Sequence, residues 1–405
     1  MNHAATRPIW HSALQGRDIV IVSPQYWGDV WVSKHWIAFE LSRRLRTVFV
    51  EPPVWVGGVL RHPWRERKDL VRVLKPVRRQ GGQLNLLTPL LRPRFLGGAK
   101  GTWERVASTL GRMGIRAPVV INFGTNHELV KRLQGAVTVY YCVDPPIIEA
   151  GHEHDEALTC EASDLIYSVS EIHRERLAAF CGQRPLHVIP HGYSFDHARR
   201  VAEDPAATCP PELRSLPRPI FGFVGSIHDA FVDVDRVERL AQARPDASIV
   251  LMGPYQNNPL GPDLSPESLR RLRQLPNVHL LGPRHFLEVP RYVKYFDVCL
   301  VLVNLKDHAE SSQTGKRTHF KWLVYLSMGK PVVAPMVHDA GPVASLVYLA
   351  ADEPEYLEAL RKATAENASC QAPRIAYASQ FAFDKTLDSV SLPIAELLRA
   401  RSGTR

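Results

Sequence analysis

The sequence contains no run of about 20 apolar residues, the length that an α-helix needs to cross a bilayer. Its first residues also lack the apolar core of a secretory signal peptide. The six cysteines are scattered and include no Cys-x-x-Cys pair. These absences argue against a membrane-spanning protein, a cysteine-bound zinc site and a disulfide-stabilised secreted domain, and they favour free thiols in a reducing cytoplasm.

The composition is that of an ordinary globular protein, with 45% hydrophobic and 22% charged residues. A length of 405 residues predicts roughly two to three domains. The net charge of +9 is concentrated: residues 61–105 contain twelve Lys or Arg and three Asp or Glu, which gives 12 − 3 = +9. One basic segment in an otherwise balanced chain predicts an anionic partner, such as a membrane surface, a nucleic acid or a phosphorylated substrate.

Short β-branched runs alternate with helical periodicity along the whole chain. In the first half the runs are 18–24, 47–51, 119–123, 137–143, 165–169 and 186–190, and in the second half 220–225, 247–252, 278–282, 298–303 and 331–334. This order predicts an α/β protein with two doubly wound, Rossmann-like domains that face each other across a cleft. We expect the first domain at residues 1–195, a Pro-, Ala- and Asp-rich linker at 196–218, and the second domain at 219–383.

Ligands of such sheets bind at the carboxyl ends of the strands. Gly225 and Ser226 follow a strand where the next helix is expected, so their backbone N–H groups suit a diphosphate. Asp144 follows run 137–143, where a carboxylate can take a proton from a substrate as a general base or simply cap the next turn. His191 ends the first domain at the mouth of the expected cleft, and it suits a contact with a phosphate or a structural role.

Several motifs resemble those of a known family in order and spacing. They lie at residues 31–36, 49–53, 139–144, 162–165, 169–171, 189–192, 222–225, 276–282, 296–298 and 325–334. Together they resemble the GT-B glycosyltransferases, and within these the retaining nucleotide-sugar enzymes (group 1, family 4-like) that build bacterial polysaccharides and glycolipids.

The resemblance implies that the first domain binds the acceptor and the second binds a UDP- or GDP-sugar. It implies no bound cofactor and no metal, because cations and helix N-termini neutralise the diphosphate. It also implies that the last helix, at 384–405, packs back on the first domain. The expected donor-binding residues are Gly225, Ser226, Gly253, Arg284, Lys316, Arg317, Lys321 and Tyr325. The expected catalytic residues are Asp144, His191, Asp29 and Glu310.

The sequence departs from this family at two carboxylates. The family carries two glutamates eight residues apart, and this chain has Lys316 and Val324 at those positions. Glu310 is therefore a candidate replacement. The departure keeps open a catalytically inactive GT-B binding or scaffold subunit. A GT-B nucleotide-sugar epimerase is the other alternative, and it would require paired acids in the cleft. The sugar, the base, the acceptor and the oligomeric state do not follow from the sequence.

The basic segment favours a membrane surface over a nucleic acid, since no nucleic-acid-binding module is recognisable. Basic residues interleaved with Trp and aliphatic residues suit an amphipathic helix on an anionic bilayer; a solvated helix is the other interpretation. The residues expected to contact acceptor or membrane are Gly28, His35, Trp64, Arg65, Arg67 and Lys68. We therefore expect a cytoplasmic protein, peripheral on the inner face of the membrane, whose acceptor is a saccharide or a lipid-linked saccharide.

Overall fold

The computed structural model describes residues 9–28, 31–55, 67–91, 98–143, 152–258, 262–303, 320–336 and 341–403. The chain divides into two compact units: unit 1 comprises Met1–Gly192 and Phe383–Arg405, and unit 2 comprises Tyr193–Ala382. Within the described ranges, no helix combines the length and the apolarity that crossing a bilayer requires.

Unit 1 contains a sheet whose described strands follow the order β3-β4-β2-β1-β5-β6-β7-β8. All neighbouring pairs are parallel except the antiparallel pair β3–β4. The strands are β1 (Ile19–Val22), β2 (Thr47–Val50), β3 (Val77–Gly81), β4 (Leu84–Leu87), β5 (Val119–Asn122), β6 (Val137–Cys142), β7 (Leu165–Ser168) and β8 (Leu186–Val188). The inner strands are mostly apolar because both faces of a doubly wound sheet are buried.

Helices surround this sheet, and the C-terminal helix belongs to the same unit. The helices before it are α1 (Ile9–Ala13), α2 (Ser33–Ser42), α3 (Arg67–Leu74), α4 (Gly98–Arg112), α5 (His127–Leu133), α6 (His152–Glu161) and α7 (Glu171–Cys181). The C-terminal helix spans Phe383–Gly403. The buried Tyr167 hydroxyl on β7 donates a hydrogen bond to the carbonyl of Val390 at 2.8 Å, which joins this helix to the sheet.

Unit 2 contains a second parallel sheet, with described strands in the order β11-β10-β9-β12-β13-β14. They are β9 (Ile220–Val224), β10 (Ser248–Met252), β11 (Val278–Gly282), β12 (Val298–Leu300), β13 (Val332–Pro335) and β14 (Tyr348–Ala350). The helices are α8 (Phe195–Glu203), α9 (Pro211–Arg214), α10 (Val234–Ala243), α11 (Pro266–Arg273), α12 (Val289–Val293), α13 (Phe320–Ser327), α14 (Glu353–Thr364) and α15 (Gln371–Ala378).

Each sheet has a point where the strand order reverses. In unit 1 it lies between β1 and β5, and in unit 2 between β9 and β12. Open α/β sheets bind ligands beside such switch points, at the carboxyl ends of the strands. The prediction of two doubly wound α/β domains is confirmed. The two switch points are where ligands are expected to bind.

The prediction of a linker at 196–218 is wrong. Helices α8 and α9 lie in this segment, and Ala198 and Leu213 are 0% and 2% exposed in the core of unit 2. Two of the four prolines that suggested a linker lie at a helix start, because Pro210 is the N-cap of α9 and Pro211 its first residue. Proline suits that position, where the first N–H groups of a helix have no intrahelical partner.

Candidate functional sites at the two switch points

In unit 2, two glycines bring the ends of β9 and β10 together. Gly225 and Gly253 have φ angles of 155° and 151°. The amide of Gly225 donates to the carbonyl of Met252 at 3.0 Å, and the amide of Gly253 donates to Gly282 at 3.0 Å. A Cβ atom at Gly253 would lie 1.8 Å from the carbonyl oxygen of Gly225. The close approach of these two strand ends therefore requires glycine at position 253.

The loop after β9 is fixed by side chains. The amide group of Asn258 donates to the Ser226 hydroxyl oxygen at 2.7 Å. The next helix, α10, begins at Val234, and the carboxylate of Asp233 caps it by accepting from the amide of Arg236 at 3.0 Å. Because Asp233 occupies the N-cap, the N-terminus of α10 adds no support to the predicted diphosphate-binding role of Gly225 and Ser226, which stays a prediction. The predicted roles of Gly225 and Ser226 rest on the loop backbone.

Tyr325 lies beneath this loop and not on its surface. Its side chain is 0% exposed, and its hydroxyl oxygen accepts a hydrogen bond from the amide of Val224 at 2.8 Å. Burial raises the pKa of this hydroxyl well above its usual value, so it stays neutral. The predicted direct contact of Tyr325 with the donor is corrected: Tyr325 holds the end of β9 in place.

We expect Tyr325→Phe to lower the free energy of unfolding by about 1–3 kcal/mol, because it leaves the amide of Val224 without its partner. Urea unfolding measures this loss. Tyr356→Phe is the matched control, since the equally buried Tyr356 hydroxyl makes only long contacts of 3.4 and 3.5 Å. Equal losses in the two variants would contradict a special role for the Tyr325 hydrogen bond.

Arg284 follows β11, and its guanidinium is already engaged. It donates to the Tyr292 hydroxyl at 2.8 Å and to the Glu212 carboxylate at 2.8 Å. It also donates to the carbonyl of Leu281 at 2.6 Å and to that of Pro283 at 3.0 Å. The predicted role of Arg284 as a donor-binding cation is therefore corrected, because its charge is paired and nearly all its N–H groups are used.

The remaining predicted donor-site residues fall on the least described part of unit 2. Glu310, Lys316 and Arg317 lie outside the described residues, and of Lys321 only the backbone position on α13 is described. Val324 is described: it is 5% exposed in the apolar core. The position of the family's second glutamate is thus part of the hydrophobic core of this chain.

In unit 1, a cavity of about 240 Å³ lies at the carboxyl ends of β1, β2 and β5. Its polar lining includes Ser23, Glu51, Thr125 and Asn126, and Trp103 contributes an aromatic wall. Just below it, the side-chain nitrogen of the fully buried Asn122 makes no hydrogen bond within the part of the chain that the structure describes. Hydroxyl, amide and carboxylate groups beside an indole ring are the chemistry that recognises a polyhydroxylated ligand.

Glu51 is a residue of this site to which the sequence analysis assigned no role. Its carboxylate is fully buried at the end of β2. It accepts from the amide of Trp27 at 2.8 Å, from the Arg78 guanidinium at 2.5 Å and from the Thr88 hydroxyl. Sequence pattern could show that a carboxylate ends this strand, but not that three separate segments converge on it.

His35 lies at the start of α2, where it is buried against the loop between β1 and α2, which we call the first loop. It is 2% exposed; its Nε2 donates to the carbonyl of Tyr26 at 3.0 Å and its Nδ1 accepts from the amide of Val32 at 3.3 Å. Its ring packs against Trp27 and Phe49. Burial lowers the pKa of His35 to about 4, so it is neutral at physiological pH. The prediction that His35 contacts an acceptor or a membrane is corrected, because no face of its ring is accessible.

His191 remains a candidate, because it is only partly buried. Its Nδ1 lies 2.6 Å from the hydroxyl oxygen of Ser33, the first residue of α2. Gly28 is exposed in the first loop. The other expected residues of unit 1 are not described at the side chain: Asp29, Trp64, Arg65 and Asp144 lie outside the described residues, and Arg67 and Lys68 are described only as backbone in α3.

Comparisons with known proteins show what the chain is similar to. No family model matches the chain. It is 23% identical over 218 residues to TuaH of Bacillus subtilis, a glycosyltransferase provisionally assigned to teichuronic acid biosynthesis. The match covers 52% of this chain and about half, 49%, of that relative.

Solved structures match almost the whole chain. HepE of Anabaena, solved in complex with UDP-glucose, is 13% identical with a TM-score of 0.64, covering 94% of this chain and 99% of HepE. A UDP-forming α,α-trehalose-phosphate synthase of Burkholderia xenovorans is 13% identical with a TM-score of 0.61, covering 95% of this chain and 98% of that one. The fold is therefore GT-B, as the resemblance implied, and the sequence is related to that of a glycosyltransferase.

Proposed function

We propose that this GT-B chain is a glycosyltransferase that moves a sugar from a UDP-sugar to a hydroxyl group of an acceptor saccharide. The match of the whole chain to the GT-B fold, in which HepE was solved with UDP-glucose, is the observation that carries this proposal. The sequence relationship to TuaH supports an acceptor of the bacterial polysaccharide class.

The donor site is proposed at the β9/β12 switch point of unit 2. The backbone of Gly225, Ser226 and Gly253 provides the surface for the diphosphate. Because Arg284 is paired with Glu212, the neutralising charge has to come from elsewhere. We assign it to Lys316, Arg317 and Lys321, since Lys and Arg form charge-assisted hydrogen bonds with phosphate.

The acceptor site is proposed at the cavity of unit 1, with Asp144, Asp29 and His191 as candidates for the group that receives the acceptor proton. Transfer with retention of configuration is the outcome that the resemblance favours. NMR of the product's anomeric proton distinguishes retention from inversion.

A lipid-linked acceptor and a peripheral position on the inner face of the membrane complete the proposal. Val71, Leu74 and Val77 are 53%, 71% and 40% exposed in the segment that carries the excess positive charge. Exposed apolar side chains among cations favour an anionic bilayer surface.

A catalytically inactive binding subunit is the second candidate, and Val324 is the observation that favours it. A buried valine stands where the family that the chain resembles has a glutamate, so this chain lacks one of the two carboxylates of that family.

The first experiment is a thermal-shift panel of UDP, GDP, ADP, CMP and dTDP, followed by a turnover assay with UDP-sugars. A diphosphate present at 100 times its Kd stabilises the native state by about 2.7 kcal/mol. For unit 2 we expect UDP alone to raise Tm by about 5–10 °C.

The outcomes of this panel separate the candidates. A UDP response with release of UDP from a UDP-sugar supports the transferase. A UDP response without turnover of any UDP-sugar and acceptor favours the inactive subunit. The absence of a response to every nucleotide would contradict the proposed donor site.

A further inference from the structure

A surface of unit 1 with exposed apolar residues is connected to the acceptor cavity by buried charges. We call Val71, Leu74 and Val77 the apolar edge. Val71 and Leu74 are three residues apart and share a face of α3, and Val77 begins β3. The residues between and beside them, Arg72 and Arg78, point inward: their side chains are only 13% and 18% exposed.

Both arginines reach the same carboxylate. The Arg78 guanidinium lies 2.5 Å from Glu51 Oε2, and the Arg72 guanidinium lies 3.9 Å from it. Thr88, just after β4, donates its hydroxyl to the same oxygen. Glu51 therefore joins the segments on both sides of the apolar edge to the end of β2.

The other oxygen of Glu51 holds the first loop. Glu51 Oε1 accepts from the amide of Trp27 at 2.8 Å. Arg72 adds a second connection, because it lies 4.1 Å from the centroid of the Tyr26 ring and donates to the carbonyl of Trp27 at 3.4 Å. Glu51 and Arg72 thus connect α3 and β3 to the first loop through largely buried contacts.

Glu51 also lines the cavity at the ends of β1, β2 and β5. Its oxygens accept from Trp27, Arg78 and Thr88 and lie near Arg72, so it has little capacity left to take a proton from a substrate. It is suited to position the loop beside the cavity and not to act as a base. A buried carboxylate of this kind depends on its partners, because an unpaired charge in the interior is strongly destabilising.

We infer that Glu51 is a positioning residue that transmits contact of the apolar edge with an anionic lipid bilayer to the first loop, and so to the acceptor cavity. The inference rests on the proposed function for its biological meaning. The bilayer is the partner that fits, because residues 61–105 carry all of the chain's excess positive charge and expose the apolar edge. A lipid-linked acceptor would then bind beside a loop that the same lipid surface has ordered.

Hydrogen exchange of the full chain, with and without vesicles containing phosphatidylglycerol, tests this inference without any turnover assay. Vesicles of phosphatidylcholine alone are the control for charge. In the wild-type protein we expect anionic vesicles to slow exchange about tenfold in residues 67–81 and also in residues 23–32. In Glu51→Gln we expect slowing in 67–81 only.

Glu156→Gln is the matched control variant. Glu156 is equally buried in unit 1, where it pairs with Arg176 and accepts from the Tyr140 hydroxyl at 2.8 Å, but it joins β6, α6 and α7 and not the first loop. It should lose stability as Glu51→Gln does and keep the vesicle response of residues 23–32. If Glu51→Gln does not fold, Thr88→Val replaces it, since this variant removes one hydrogen bond to Glu51 with little change in shape.

Three results would overturn the inference: no slowing of residues 67–81 on anionic vesicles, slowing of 67–81 without any change in 23–32, or the same response of 23–32 in Glu51→Gln and wild type. The nucleotide panel is independent of all three. A chain that responds to UDP and not to vesicles would retain the proposed donor site and lose this inference.

Discussion

Gly253→Ala is expected to abolish the stabilisation of the chain by UDP and to lower the free energy of unfolding by about 2–5 kcal/mol. The added Cβ would lie 1.8 Å from the carbonyl oxygen of Gly225, a distance that no adjustment of a side chain relieves, since both groups belong to the backbone. The φ of 151° adds strain of its own. The ends of β9 and β10 must therefore separate, and the loop at Gly225 and Ser226 must move with them.

Gly282→Ala is the control that separates the steric clash of the added Cβ from the strain of a positive φ. Gly282 also has a positive φ, 70°, but a Cβ there would meet only a carbon of Tyr255 at 3.9 Å. We expect a smaller loss of stability, about 1 kcal/mol, and an intact UDP response. Thermal shift and urea unfolding measure both quantities. A Gly253→Ala variant that still responds to UDP like wild type would contradict the assignment of this loop to the donor.

Acidification is expected to destabilise unit 1 between pH 6.5 and about 4, by about 3 kcal/mol in total, through His35 alone. Burial lowers the pKa of His35 in the folded protein to about 4, whereas an unfolded histidine titrates near 6.5. Below pH 6.5 the unfolded chain binds a proton at His35 that the native chain does not bind, so the free energy of unfolding falls as the pH falls. The contribution of neutral His35 to the free energy of unfolding is complete above pH 6.5, and its loss levels off below about pH 4.

The measurement is the free energy of unfolding as a function of pH for wild type and for His35→Gln. The difference between the two curves isolates His35 from the other titrating groups, and it should change by about 3 kcal/mol across this range. A ring titration by NMR supplies a direct check. A midpoint near 6.5 for His35 in the folded protein would show that the ring is hydrated, and would restore it as a surface residue of α2.

Helix α2 illustrates why pattern alone misplaced His35. Eight of its ten residues are buried, so it has no polar face from which to recognise an exposed side chain. The sequence Ser-Lys-His-Trp at its start resembles an accessible, functional turn. The aromatic side chains of Trp27, Trp31 and Phe49, which lie outside α2, make His35 an interior position, and the periodicity of the helix does not reveal these contacts.

Arg284 and Tyr325 were misread for a related reason. Both lie near strand ends or motifs of the GT-B family, and for that reason the sequence suggested that they belong to the donor site. Their partners, Glu212 for Arg284 and the amide of Val224 for Tyr325, are 72 and 101 residues away. Whether a cation or a hydroxyl is available to a ligand depends on such partners, and the local sequence does not contain them.

The architecture follows from local pattern: buried strands such as β1, β5 and β9 are short apolar runs, and their alternation with helices suffices for two doubly wound sheets because that information is periodic. The uneven charge and the missing glutamates are also visible in the sequence. The availability of individual side chains depends on the folded chain. Folding places Arg72, Arg78 and Thr88 around the buried carboxylate of Glu51, assigns α8 and α9 to unit 2, and brings Gly225 and Gly253 together. These features depend on burial and pairing between distant segments, which only the folded chain defines.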